Sequence, residues 1–275
     1  MNLLKQVKKQ NLTVLVHLGD IYYSGTQTEA GDNFLDIVRA VFGNTFPAYT
    51  LCGNHDMYSG GDGYYWLVDQ PAQGASYFSL SNDNWQLLAM DTGHEDRSPM
   101  TVASNMTSVN DNEAAWLIAQ ISRNSKRKMV LLSHHQLFSS FSSVGRVDGK
   151  DYAYNPNLYS TFKGVLSKVE WWFWGHEHTL AIYDPYMGLR RGRCVGASAV
   201  PVFRDQQSYA TAKGLATLDG NMPVWNARAQ LSLNGDALYD NAFAVLELNA
   251  GSATAEYFRV PIDGEAASLV RETAG

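Results

Sequence analysis

Four polar clusters in this sequence each follow an apolar run. Val14-Leu15-Val16-His17-Leu18 leads into Gly19-Asp20, and Ala48-Tyr49-Thr50-Leu51-Cys52 into Gly53-Asn54-His55-Asp56. Met129-Val130-Leu131-Leu132-Ser133 leads into His134-His135, and Val169-Glu170-Trp171-Trp172-Phe173-Trp174 into Gly175-His176-Glu177-His178. Asp20, Asn54, His134, His176 and His178 together offer a carboxylate, an amide oxygen and imidazoles. That set suits Mn, Fe or Zn as divalent or trivalent ions and lacks the thiolates of a structural zinc site. His176 and His178 are two apart, so an extended backbone turns both rings to one side. Gly175 lets the chain bend there, and an Asp between two metals can bridge them.

Such a pair of metals, about 3.5–4 Å apart, clamps a phosphoryl group and supplies a metal-bound hydroxide, because coordination lowers the pKa of water from 15.7 to about 7. Charge developing at phosphorus is neutralised by the metals and nearby donors. His55 is placed to be such a donor or to protonate the leaving oxygen, with Asp56 beside it to fix its orientation. Single histidines at strand ends are usually structural, and His17 and His94 are read that way. Asp91 is read as a cap. Trp171, Trp172 and Trp174 are read as core, and Tyr64, Tyr65 and Trp66 as packing residues in a glycine- and aromatic-rich loop over 58–66.

In an open α/β sheet, ligands bind beyond the carboxyl ends of the strands, where all four clusters lie. The pattern predicts strands over 14–18, 48–52, 75–80, 85–90, 129–133 and 169–174, with 14–18 covered on both faces. Helices are expected over 3–10, 34–42, 110–123 and 158–167. The long stretch 138–157 leaves directly after His134-His135 and is expected to be a structureless, substrate-side loop. Further strands are expected at 180–183 and 193–197, an irregular stretch over 201–237, and a final hairpin of 243–248 with 253–260. Strands alternating with helices, then a strand-rich tail, imply a layered α/β protein with more than one sheet. With no internal repeat or linker, residues 1–275 are read as one domain.

The 275 residues are 45% hydrophobic and 17% charged, with a formal charge of -6, which argues against a general nucleic-acid binder. Two distant cysteines, Cys52 and Cys194, make no disulfide framework. No run of eighteen apolar residues occurs, so no membrane span is expected. The sequence names no compartment. Its charged start is unlike a signal peptide, which makes the cytoplasm the default. The sequons at Asn11 and Asn105 carry little weight.

The series Gly-Asp, Gly-Asn-His-Asp, His after a strand and Gly-His-x-His, in that order over residues 19–178, resembles the calcineurin-like metallophosphoesterase superfamily. The resemblance implies a four-layer α/β/β/α sandwich, the metallo-dependent phosphatase fold, around a dinuclear centre. Asp20 would bridge the metals. Asn54, His134 and His176 would complete one site, and His178 would ligate the other. His134, not His135, matches the family position, and His55 would be the general acid. Asp20-Ile21-Tyr22-Tyr23 is also similar to the purple acid phosphatase branch, which would make Tyr23 an iron ligand. The family opens with Asp-x-His on a preceding strand, and no Asp-x-His occurs here. The chain is therefore expected to be N-terminally incomplete, without the first strand, and the second metal site to be incomplete. The implied function is hydrolysis of a phosphoric monoester or diester of a small molecule or nucleotide. The alternative is a degenerate scaffold that keeps the fold and binds a partner.

Overall fold

The computed structural model describes residues 2–21, 23–69, 73–96, 98–100, 106–123, 126–198 and 200–275. Tyr22 of the Asp20–Tyr23 motif and the sequon residue Asn105 lie outside the described residues. Helix α1 (Asn2–Lys8) precedes strand β1 (Leu15–His17). Helices α2 (Gln27–Ala30) and α3 (Asp36–Phe42), joined through a π-helical stretch at Gly31–Leu35, lead to β2 (Ala48–Thr50). Thr26 opens α2 in a reciprocal capping box with Glu29, which satisfies orphan N–H groups at the helix start. Next come α4 (Asp62–Val68), β3 (Phe78–Ser81), β4 (Trp85–Ala89), α5 (Asp111–Arg123) and β5 (Lys128–Ser133). The hairpin β6 (Gly145–Val147) and β7 (Lys150–Tyr152) precedes α6 (Pro156–Phe162), β8 (Val169–Trp174), β9 (Leu180–Ile182) and β10 (Gly192–Val195). Strands β11 (Asn241–Leu248), β12 (Ala253–Val260) and β13 (Ala267–Ala274) form an antiparallel meander.

The largest sheet has six strands in the order β3-β4-β5-β8-β10-β9. β4, β5, β8 and β10 run parallel, and β3 and β9 pair antiparallel at its edges. Side chains alternate across a strand, so β5 and β8 feed two cores at once. Leu131, Trp172 and Trp174 pack with Leu117 and Ile121 of α5 and Leu158 and Phe162 of α6. Val130, Leu132, Trp171 and Phe173 pack on the other face with Ala242, Ala255, Tyr257 and Ala274 of the meander. Beyond that second layer, Phe34 and Val38 pack with Leu15 and Ala48, while Val7 of α1 packs on Phe243 and Phe258. The succession is α/β/β/α. Each fully buried large side chain in these seams contributes about 1.5–3 kcal/mol. Glu272 of β13 ties the seam by accepting from Arg193 of β10 (2.7 Å), Trp171 of β8 (3.0 Å) and Tyr257 of β12 (2.5 Å).

Several elements depart from their sequence expectations. β1 is shorter than 14–18 and its residues are half-buried, not covered on both faces. The 58–66 stretch is not all loop. Helix α4 starts at Asp62 because Tyr64, Leu67 and Val68 share a buried face, while glycines serve the turn before it. The 138–157 segment contains the β6–β7 hairpin and a buried start, with Phe138, Ser139 and Ser140 all enclosed. α6 starts at Pro156, where Asn155 caps Asn157 and Leu158 and Pro sits in the first turn. β13 extends the expected final hairpin into three strands. Both cysteines are buried and free. Among the described residues no helix is long and apolar enough to cross a membrane.

Candidate metal centre

β1 and β2 are parallel neighbours, so their polar ends emerge side by side. Gly19 has φ +96°, and a Cβ on it would lie 2.5 Å from His134 Nδ1. At Gly53 a Cβ would fall 2.1 Å from Asp20 Oδ1. Only glycine lets these two turns interlock with each other and with the end of β5. Asp20 itself is left-handed at φ +63°, as is His176 at φ +61°. For residues with a Cβ that conformation is uncommon and is held by surrounding contacts.

The brace is Asp56. Its Oδ2 accepts the backbone N–H of Asp20 at 3.0 Å and of Gly53 at 2.8 Å, and its Oδ1 that of Ile21 at 3.1 Å. Burial, with the Asp20 charge next, pushes its carboxyl up to about 7 against these donors. The expectation that Asp56 orients His55 is therefore corrected. The 3₁₀ turn His55–Met57 sends the Asp56 side chain back under Gly53, and the Tyr23 carbonyl takes His55 Nδ1 at 2.8 Å. A carbonyl only accepts, so Nδ1 carries the proton. The other nitrogen, Nε2, faces the Tyr58 hydroxyl at 3.4 Å.

Asp20 uses both oxygens. Oδ1 accepts the His55 backbone N–H at 2.9 Å, and Oδ2 lies 3.3 Å from His134 Nε2. Burial opposes its ionisation, but the His134 charge and hydrogen bond hold it well below the usual carboxylate range. Burial lowers the His134 pKa and Asp20 raises it, with a net rise. His134 Nδ1 donates to the Leu18 carbonyl at 2.8 Å, which leaves Nε2 to the site. Asn54 donates its Nδ2 to the Pro99 carbonyl at 2.9 Å, so its Oδ1 also faces inward. Asn54 Oδ1 lies 3.2 Å from His134 Nε2 and 2.9 Å from His176 Nδ1, and those two nitrogens are 3.1 Å apart. Burial, followed by His135 and His134, drives the His176 pKa well down.

Asn54 Oδ1, His134 Nε2 and His176 Nδ1 are thus gathered at one point, with Asp20 Oδ2 beside it, 3.3 Å from His134 Nε2. Electron-pair donors this close repel unless something positive sits among them. A proton on His134 Nε2 or on His176 Nδ1 answers part of this. A cation answers all of it, because ligands about 2.0–2.2 Å from a metal stand about 3 Å apart. The donor set and its spacing fit a metal.

The remaining predicted residues lie around this point. His178 is half-buried, its pKa lowered by burial against the pull of Asp20. Tyr23 is 63% exposed, and its ring lies against those of His55 and Tyr58 at 5.1 and 6.1 Å. His17 bonds Thr50 Oγ1 at 3.0 Å and packs on Phe34; His94 Nδ1 meets the Tyr65 hydroxyl at 2.8 Å. Asp91 accepts the His94 N–H at 3.0 Å.

Sequence reasoning missed Tyr58, Asp96 and the place of His135. The ligand atoms of His134, His135 and His176 all lie within 4.8 Å of one another. His135 was discernible from its position beside His134. Asp96 sits in a loop whose sequence carries no motif.

The calcineurin-like phosphoesterase family matches residues 1–180, which contain every candidate ligand. No curated protein matches the chain. Among solved structures, the purple acid phosphatase PPD1 from yellow lupin (Lupinus luteus) seeds is similar, with 13% identity and a TM-score of 0.57 over 98% of this chain and 47% of that one. GAP50, the anchor in the inner membrane complex of Plasmodium, is similar with 12% identity and a TM-score of 0.59 over 98% of this chain and 82% of that one. This chain spans about half the length of the lupin phosphatase, and at such identities the likeness is one of fold. The family match over 1–180, read together with the interlocked Gly-Asp, Gly-Asn-His-Asp, His and Gly-His-x-His turns, means that this chain belongs to the calcineurin-like phosphoesterases.

Proposed function

We propose that this chain is a metal-dependent hydrolase of phosphoric esters, acting on a monoester or diester of a small molecule or nucleotide. The observation that carries the reading is the convergence of Asn54 Oδ1, His134 Nε2 and His176 Nδ1, all within 3.2 Å of one another, with Asp20 Oδ2 3.3 Å from His134. Asp20, Asn54, His134 and His176 would hold a divalent or trivalent Mn, Fe or Zn ion. The resemblance gives His178 and Tyr23 to a second. Bound there, such ions polarise the phosphoryl group and make water acidic enough to supply a nucleophile near neutral pH.

The protein's own side chains do the rest. Asp20 accepts the His55 backbone N–H, so one carboxylate ties the His55 turn to His134. The Tyr23 carbonyl holds His55 Nδ1–H, which leaves Nε2 as the atom that carries a proton to the leaving oxygen. Tyr58 offers a neutral O–H beside the same nitrogen.

The test is hydrolysis of p-nitrophenyl phosphate and bis(p-nitrophenyl) phosphate by Mn- or Fe-loaded protein. Turnover is expected, with loss in Asn54→Ala and His55→Ala while the circular dichroism stays native. Unchanged turnover in both variants refutes the reading.

The likeness to GAP50, an anchor, supports a second reading in which the fold serves as a partner-binding scaffold. That reading requires metal-loaded protein to hydrolyse neither substrate.

A further inference from the structure

His135 and Asp96 are buried beside this point, and the His135 ligand atom lies within 4.8 Å of those of His134 and His176. The His135 ring is pinned. Its backbone N–H and Nδ1 both reach Thr92 Oγ1, at 3.1 and 2.9 Å, and its face leans on His176 with ring centres 4.8 Å apart. Its other nitrogen, Nε2, has no hydrogen-bond partner although the residue is only 2% exposed. Asp96 Oδ2 lies 3.3 Å from that nitrogen, and the Asp96 side chain is fully buried. Asp96 Oδ1 accepts the Ser98 N–H at 2.9 Å.

When Nδ1–H is donated to Thr92, Nε2 turns a lone pair at the carboxylate. When the Thr92 hydroxyl donates to Nδ1 instead, the Nε2–H lies outside hydrogen-bond geometry with Asp96. In either neutral tautomer a buried nitrogen is left unsatisfied against a buried carboxylate, an arrangement that ordinarily costs about 1–3 kcal/mol. A cation between the two atoms satisfies both. An imidazole nitrogen and a carboxylate oxygen are the donors that borderline divalent ions such as Mn, Fe and Zn accept.

We propose that His135 Nε2 and Asp96 Oδ2 hold a second cation beside the one assigned to Asp20, Asn54, His134 and His176. The proposal rests on that first assignment. It gives the second position to a buried pair on the loop after β4 and the turn after β5, and not to Tyr23, whose ring is 63% exposed. In this chain the dinuclear centre is completed from within the seam between strands.

The experiment counts bound metal, so it does not depend on turnover. The 275-residue chain is loaded with Zn²⁺ or Mn²⁺, desalted and analysed by inductively coupled plasma mass spectrometry, with titration calorimetry alongside. The parent and Tyr23→Phe are expected to hold two equivalents. Asp96→Asn, His135→Gln and the double variant are expected to hold one, with native circular dichroism. Two equivalents in the double variant overturn the proposal, as does a parent that holds one equivalent, whatever the variants do. Loss of the second equivalent in Tyr23→Phe with its retention in Asp96→Asn also overturns it. Asn54→Ala reports on the first position separately. If that variant binds metal as the parent does, the first assignment falls, and a parent with no bound metal removes both.

Discussion

The Asp56 carboxylate accepts the backbone N–H of Asp20 at 3.0 Å, across two loops that are far apart in sequence. With Ile21 and Gly53 also donating to it, Asp56 holds together the backbone that presents Asp20 and Asn54. Asp56→Ala leaves buried N–H groups without an acceptor, at about 1–3 kcal/mol for each. A loss of at least about 3 kcal/mol is expected, read from the urea midpoint of the metal-free protein. Asp56→Asn, which keeps an acceptor oxygen, is expected to lose less.

Gly53→Ala is expected to act on the metal and not only on the fold. The added Cβ falls 2.1 Å from Asp20 Oδ1, so the carboxylate must leave its place. Displacing a group that orients a ligand typically costs 10–100-fold in metal affinity, and calorimetry should find a drop of about that size. Gly164→Ala, where nothing lies within 4 Å of the new carbon, serves as the control and should bind metal as the parent does.

His55 and Tyr58 should separate in kinetics. Removing a general acid lowers the rate about 10²–10⁴-fold, which is the loss expected for His55→Ala in kcat. Tyr58→Phe keeps a ring tilted against His55 with centres 4.3 Å apart and removes only the hydroxyl near Nε2. Its kcat is expected to fall by less than that of His55→Ala, with KM nearly unchanged. Equal losses in the two variants would contradict the separate roles.

Glu113 sets a pH dependence away from the ligands. Burial pushes its carboxyl from the ordinary 4.5 up to about 8, although Oε1 accepts the Asp91 N–H at 2.9 Å. The native state therefore keeps a proton that the unfolded chain has lost, and stability falls as pH rises from about 4.5 to about 8. Glu113→Gln removes that proton difference, and thermal melts of the metal-free protein should show a shallower decline over this window. An unchanged slope would rule Glu113 out as its source.

The strand ends were legible because each ligand stands directly after an apolar run, and burial of the run fixes where the next residue emerges. That logic placed Asp20, Asn54, His134 and His176 at neighbouring strand ends. It failed for Asp56, where adjacency to His55 suggested a pair but a 3₁₀ turn parts the two side chains. Asp96 escaped because its partner, His135, comes from another element, and loop packing leaves no periodic trace. β13 escaped because its outward residues, such as Ser268 and Arg271, are polar and only its pairing with β12 marks it as a strand. Helix α4 was hidden by glycines that belong to the turn before it and to its first residues.

The four converging donors come from two different sheets. Asp20 and Asn54 follow β1 and β2, while His134 and His176 follow β5 and β8. An ion gripped by all four is a rivet through adjoining plates. Its binding free energy adds to whatever holds the layers face to face, so occupancy and layer closure become one linked equilibrium. Loosening between the β1–β2 pair and the six-stranded sheet then appears at the centre as weaker hold on the ion.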